Sequence, residues 1–560
     1  MKGRVGWRGL LLAVFACVVV FTRLGGQGLI EPDEGRYASI AREMADGDSW
    51  LIPHLNGIPH FQKPPIIYWS TALAFRCFAA NEAAARLPSA LAALGILALT
   101  FAIGRKLYGV ETGIGAVLIL VAALEFFGHA RMLTPDMMMS FWITAAVFCL
   151  VKHRLDGRRR WGWFFFVAMG LGFLTKGPMA LVVPLSAAVV WRLAAGPSGR
   201  GLPWVPGMAL TLAISLSWFV TLVVQEPQLR SYFLGYELVQ RFTSHVHGRS
   251  KPVWFFVPVL LVGLLPWSPG LLAMVGTLVR RWREGWRPAP NAWLLAGWFM
   301  PPLLVLSVSG SKLLTYVIPL FPPLAIALAQ WELQWHRTAR VAHAVSAIIL
   351  ALAAVGAWLA HRWIPDADLA GLAVPFLLVG LGLAIAATFR RLAANPVAAL
   401  ACISVTTAAG WLWAMGQADR VNNFLGAQAS IRALAQQVLN APDLDRATLF
   451  VVDARLHSWE FYLRRTVSVS LSDSDVVLPL TAEQKDRLLP NPKESAALLE
   501  GRAPAYGLVG ARIFATRFPT NNWAVLGRAG AYYLIATRDA ALAQPGSPST
   551  RTPKLKETPK

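Results

Sequence analysis

The apolar run Gly9–Val20, GLLLAVFACVVV, is followed shortly by Ile30-Glu-Pro-Asp-Glu-Gly-Arg-Tyr-Ala38. An apolar helix that opens onto a knot of carboxylates reads as a membrane span meeting a polar face, and the remaining chain agrees. A spanning helix needs about 20 mostly apolar residues. Candidates stand at Gly9–Val20, Leu87–Ile103, Gly113–Leu124, Met137–Val151, Trp161–Leu174, Met179–Trp191, Val205–Val224, Trp254–Val279, Ala292–Val308, Leu313–Ala329, Val341–Leu359, Leu369–Thr388 and Val397–Met415. That makes about thirteen spans, the shorter ones extending into their flanks.

Composition supports this reading. Of 560 residues 56% are hydrophobic and 15% charged, against about 25% charged in an ordinary soluble chain. A disordered chain is excluded on the same figures. The net charge of +22 would suit nucleic acid or a membrane; the apolar mass decides for the membrane and leaves no nucleic-acid partner. The four cysteines, Cys17, Cys77, Cys149 and Cys402, fall mostly in apolar stretches and make no disulfide framework.

Basic residues set the topology. Lys2, Arg4 and Arg8 precede the first span, Arg105 and Lys106 follow the second, and Arg158, Arg159 and Arg160 follow the fourth. Arg192 and Arg200, Arg280 to Arg287, Arg337 and Arg340, and Arg390 and Arg391 follow later even-numbered spans. All fall on one side, which the positive-inside rule makes cytoplasmic. Residues after Met415 are then expected outside the cytoplasm.

Two outer loops are long, at about 25–86 and 225–253, and loops of that length usually carry function. In the first, Ser39 to Ala45 has helical spacing and Ile66–Phe78 reads as an amphipathic helix. The membrane domain is expected over 1–416. A small α/β domain is expected over 417–543, with strands at Thr448–Val452, Val467–Leu471, Tyr506–Val509 and Tyr532–Ala536 and a helix at Ala427–Leu439. The Pro-, Ser-, Thr- and Lys-rich segment 544–560 reads as a disordered tail.

The outer face collects the chemistry. Asp33 and Glu34 follow the first span, and Asp136 opens the fourth after Thr134-Pro135. Carboxylates near hydrocarbon are costly unless paired or functional. Such a group serves as a general base or holds a metal; the plainer readings are a helix cap for Asp136 and a solvated turn for Asp33. Lys63, Lys176 and Lys312 lie on the same side. Each suits a phosphate or snorkels to the headgroups. With Arg241 and Arg249 they sketch a cationic cavity fit for an anionic lipid headgroup. His60, His245 and His247 can together ligate a divalent metal such as Zn or Mg, or remain loop histidines.

These segments, in order, resemble the bacterial protein-O-mannosyltransferase-like glycosyltransferases. The matching stretches are Ile30-Glu-Pro-Asp-Glu-Gly-Arg-Tyr-Ala38, His54-Leu-Asn-Gly-Ile-Pro-His-Phe-Gln-Lys-Pro-Pro65, Ala84-Ala-Arg-Leu-Pro-Ser89 and Leu133-Thr-Pro-Asp136. Leu174-Thr-Lys-Gly-Pro178, Arg241-Phe with His247, and Ser311-Lys-Leu-Leu-Thr-Tyr316 continue the set. Within the family the set is most similar to the lipid A aminoarabinose transferases, which have thirteen spans and a periplasmic C-terminal domain. The resemblance implies a GT-C fold in the bacterial inner membrane, an undecaprenyl-phosphate-linked sugar donor, and a periplasmic acceptor such as lipid A. It implies Asp33 as principal catalytic carboxylate, Asp136 as the second, and Lys63 at the donor phosphate. Arg36, Tyr37, Arg249 and Tyr316 would line the cavity. Gln62 departs from the pattern, because many relatives have glutamate there, and a neutral amide is a poor metal ligand. A transferase for another envelope glycan or protein is the alternative within the family. A secondary transporter is the alternative from another class, although transporters place polar sites near the midplane.

Overall fold

The structure is a computed structural model that describes residues 6–47, 49–196, 201–233, 251–363, 369–425, 430–452, 454–469, 477–490, 492–502, 504–518 and 521–542. It resolves into two compact units. The first comprises Met1–Gln27, Met44–Pro53 and Phe61–Val421; the second comprises Gly28–Glu43, His54–His60 and Asn422–Lys560.

The first unit is the polytopic helical body. Each expected span coincides with a helix or a helix pair. Among the described residues, seven helices are long and apolar enough to cross a membrane, or up to eight with one bent pair, and five further apolar helices are shorter. The bent pair corrects one expectation. The stretch read as a single span at Trp254–Val279 is two helices, Val253–Gly263 and Ser268–Arg283, at 118° to each other. The break falls at Leu265-Pro266, where the proline ring removes a helical donor and crowds the preceding turn.

Large apolar side chains face outward along several of these helices, and small or polar ones enter the contacts between them. Along Trp204–Gln225, Val205, Leu212, Leu216, Val220 and Val224 are exposed, whereas Gly207, Thr211, Ser215, Trp218 and Leu222 are buried. Lipid is as apolar as leucine, so packing in a membrane selects small residues that let backbones approach and polar ones that bond across the contact. Thr211 does so, donating to the Phe166 carbonyl at 2.9 Å. The amphipathic helix expected at Ile66–Phe78 is present.

The second unit holds a five-stranded sheet. Its strands are β3 Thr448–Val452, β4 Ser468–Val469, β5 Ala505–Gly510, β6 Trp523–Ala529 and β7 Tyr532–Thr537, in the order β4-β3-β5-β7-β6. β3 runs parallel to β4 and β5, and β7 pairs antiparallel with β5 and β6. Alternation along β3 sends Leu449 and Val451 to one core, shared with Trp459 and Leu434, and Phe450 and Val452 to another, shared with Trp523 and Phe514. Helices therefore cover both faces, as a partly parallel sheet requires.

This division differs from a contiguous domain at 417–543 in two ways. Helix Pro396–Leu425 runs straight through the expected boundary. Two pieces of the first outer loop fold with the sheet: the segment carrying Asp33, and a hairpin of β1 His54–Leu55 and β2 Ile58–Pro59. The hairpin turns at Asn56-Gly57, with φ of 57° and 72°, the type of pair that accepts the left-handed conformation a two-residue turn demands. The segment at 544–560 and residues 427–429 of the expected helix lie outside the described residues. The helix there spans Arg432–Leu439.

Candidate functional site

Asp33 is not on a free turn. It is the first residue of helix Asp33–Asp46, where the unpaired amides and the helix dipole favour negative charge. Its side chain is half exposed and lies 2.5 Å from the Arg36 guanidinium, one helical turn on. That guanidinium in turn lies 5.2 Å from the centroid of the Tyr37 ring. Sequence reasoning named all three, and the helix brings them together. Glu34, fully buried, accepts from the Ile30 amide at 2.9 Å while its own amide donates to the Ile30 carbonyl at 3.1 Å. The entry to the helix is thus tied down from both directions.

A second carboxylate behind Asp33 went unread. Glu31 is buried and accepts from the amides of His457 at 3.1 Å and Ser458 at 2.7 Å, and from the Ser458 hydroxyl. Burial pushes its carboxyl up to about 7, against the downward pull of those bonds. Gly35 passes so close that a Cβ there would meet Glu31 Oε2 and the Ser458 nitrogen, each at 2.5 Å. Glu43, its carboxyl likewise raised to about 7 by burial, accepts from Asn56 and Gly57 at 2.7 and 2.9 Å and braces the hairpin.

In the helical body, Asp136 lies in the first turn of helix Pro135–Asp156. The cap position belongs to Thr134, and the buried Asp136 carboxylate forms an ion pair with Lys176, at the end of helix Arg159–Lys176. Lys176 Nζ also stands 4.7 Å from the Tyr316 ring centroid. This triad overturns both plain readings, the cap for Asp136 and snorkelling for Lys176. Beside it are two groups that sequence reasoning passed over, Glu125 and His129, with His129 Nδ1 3.6 Å from Glu125 Oε1. Their four-residue spacing on one helix face was the available signal.

Lys312 is buried and donates to the Ser309 carbonyl at 2.5 Å. Lys63 is half buried just before helix Ile66–Phe78, flanked by the buried Phe61 and Pro64. Arg241, His245, His247 and Arg249 lie outside the described residues. Of the three candidate metal ligands only the buried His60 is described. Among the described residues no group of three or more His, Cys, Asp or Glu side chains forms a metal cage.

Residues 7–233 match the family described as dolichyl-phosphate-mannose-protein mannosyltransferase. An undecaprenyl phosphate-alpha-4-amino-4-deoxy-L-arabinose arabinosyl transferase of Edwardsiella ictaluri is 34% identical over 338 residues, 59% of this chain and 60% of the relative. A transferase of the same description from Sodalis glossinidius is 37% identical over 342 residues, 59% of each chain. These matches span about three-fifths of the relatives' own length. The crystal structure of ArnT from Cupriavidus metallidurans bound to undecaprenyl phosphate superposes with a TM-score of 0.80 at 25% identity, covering 95% of this chain and 98% of that one. The protein is a polytopic membrane protein with the GT-C fold of that transferase.

Proposed function

We propose that this protein is a glycosyltransferase of the bacterial inner membrane. It moves 4-amino-4-deoxy-L-arabinose, or a closely similar sugar, from undecaprenyl phosphate to a periplasmic acceptor, lipid A in the first instance. The carrying observation is the near-complete superposition on a transferase captured with undecaprenyl phosphate, with Asp33 at a helix N-terminus and bound by Arg36. That likeness also favours a transferase over a transporter. The active face and the second unit then face the periplasm, in keeping with the charge alternation.

The chemistry needs little from the protein beyond placement and charge. The leaving group is a lipid phosphate, already a stable anion. Lys63 stabilises the negative charge that gathers on it as the bond to the anomeric carbon lengthens. Asp33 accepts the acceptor's proton, or orients the acceptor when that group is a phosphate already ionised. Arg36 fixes the carboxylate's direction, which preserves the near-attack geometry on which rate depends. Arg36 and Tyr37 wall the approach. The Asp136–Lys176 pair over Tyr316 keeps two buried charges mutually satisfied at the outer end of the helical body, and Lys312 and Arg249 add cations for the lipid phosphate.

Mass spectrometry of lipid A and of total envelope glycans, with and without the gene, tests the assignment. An aminoarabinose-sized increment on lipid A that depends on the gene supports it. A gene-dependent increment on another glycan moves the acceptor, and no change in any glycan refutes the transferase reading.

A further inference from the structure

The helix Ser458–Leu463 of the sheet unit is held at both ends by the segment that carries Asp33. At its N-terminus the Glu31 carboxylate accepts the His457 and Ser458 amides and the Ser458 hydroxyl. At its C-terminus the Arg42 guanidinium donates to the carbonyls of Glu460 at 2.6 Å and Phe461 at 3.1 Å. Accepting oxygens at the start and a donating guanidinium at the end each satisfy backbone groups that a helix terminus leaves unpaired. Both side chains are buried, which leaves these bonds unscreened by solvent.

Four further bonds close the arrangement. Ser39 Oγ donates to the His457 carbonyl at 2.7 Å. The Leu29 amide donates to the Tyr462 hydroxyl at 2.8 Å. Asn56 pairs with Val467 in both directions, its side-chain nitrogen donating at 2.6 Å and its oxygen accepting at 2.9 Å. Asp33 lies between Glu31 and Arg42 on the clamped segment. Gly35 passes so near the clamp that a Cβ there would meet the Ser458 nitrogen at 2.5 Å.

Resting on the assignment of Asp33 as the reacting carboxylate, we propose that helix Ser458–Leu463 is the element that positions it, with Glu31 and Arg42 as positioning residues. The sheet unit is then part of the catalytic apparatus, and its first task is to fix the direction of one carboxylate. Neither Glu31 nor Arg42 touches the reacting atoms. Their loss acts on the rate of transfer and leaves donor affinity alone, because a misplaced base lowers kcat without removing a ground-state contact.

The experiment uses the full-length protein in lipid nanodiscs with undecaprenyl-phosphate-linked aminoarabinose and lipid A. In Glu31→Gln an amide N–H faces the donors that the carboxylate accepted. This variant is expected to lose about tenfold to a hundredfold in kcat, with KM for the donor within about twofold of wild type. Arg42→Met is expected to behave likewise, and Arg42→Lys, which keeps a charged donor, to recover part of the rate. Ser458→Ala, which spares the two amide bonds, serves if the stronger variants fail to fold, and its expected loss is smaller but again confined to kcat. Hydrogen exchange at residues 457–463 reports whether the clamp has opened. Faster exchange there with kcat unchanged overturns the proposal, and so does a loss shared equally by kcat and donor affinity. Asp33→Asn is measured in parallel: its retention of activity defeats the catalytic assignment, whereas its loss beside a fully active Glu31→Gln defeats only the positioning role.

Discussion

Removing Asp136 alone should destabilise the protein more than removing Asp136 and Lys176 together. The two form an ion pair whose side chains are 5% and 15% exposed, and breaking such a pair from one side costs about 3–5 kcal/mol because an uncompensated charge stays buried. Lys176→Met leaves the Asp136 carboxylate in that position and should show the full cost. Asp136→Asn leaves the ammonium, which still lies over the Tyr316 ring; a desolvated cation–π contact returns about 0.5–2 kcal/mol, so its cost should be the smaller of the two. The double variant Asp136→Asn/Lys176→Met buries no charge and should fall within about 1 kcal/mol of wild type, since replacing both partners of a buried pair is often neutral. Unfolding by SDS titration in mixed micelles measures all four proteins. Costs that simply add, with the double variant the least stable, would refute the idea that the pair exists chiefly to neutralise itself.

Other outcomes follow from the same structure. Glu31 and Glu43 have carboxyls raised by burial to about 7, Glu460 is raised well above its ordinary value by burial, and burial lowers His457 to about 3. The raised carboxyls favour the folded state at low pH and lose that advantage as pH climbs through about 7, whereas His457 disfavours it only below about 6.5. Thermal melts should therefore shift upward from about pH 8 to about pH 6.5, and the shift should shrink in Glu31→Gln. Lys63→Ala should weaken binding of undecaprenyl phosphate about tenfold to a hundredfold, the worth of one charge-assisted hydrogen bond; unchanged affinity in a direct binding assay removes Lys63 from the phosphate. Gly35→Ala forces a Cβ to 2.5 Å from the Glu31 carboxylate and the Ser458 nitrogen, and should cost about 1–3 kcal/mol in the same SDS titration.

Much of this was legible in the sequence because it is local. Long apolar runs gave the helices, and the short apolar run Thr448–Val452 gave β3 to the residue. The ordered motifs pointed to the transferase fold that the superposition shows. What escaped is non-local. Nothing at Glu31 announces a bond to Ser458, so the Asp33 segment read as part of a loop on the membrane domain when it folds with the sheet. Asn56-Gly57 was a hairpin signal in plain view, obscured because short apolar neighbours flank it on each side. β6 was missed because most of its residues are half-buried and because it is bulged between Val525 and Gly527, which breaks the period of two that marks a strand. The bend between Gly263 and Ser268 hid inside a continuous apolar run, since hydropathy reports burial in lipid and not direction. For Asp136 a helix cap stayed open beside a functional role, because a carboxylate in a first turn suits either, and only the approach of Lys176 from another helix gives it a partner.

The central claim is that Asp33 carries sugar transfer from a lipid-phosphate donor. It is tested most directly by measuring that transfer with purified wild-type and Asp33→Asn proteins in nanodiscs, following the mass of lipid A over time. Asp33→Asn keeps the side chain's shape and removes its charge. The expected result is normal insertion, unchanged binding of undecaprenyl phosphate, and a loss of at least about a hundredfold in transfer, the usual worth of a positioned base. An Asp33→Asn protein that modifies lipid A within a few-fold of the wild-type rate would contradict it.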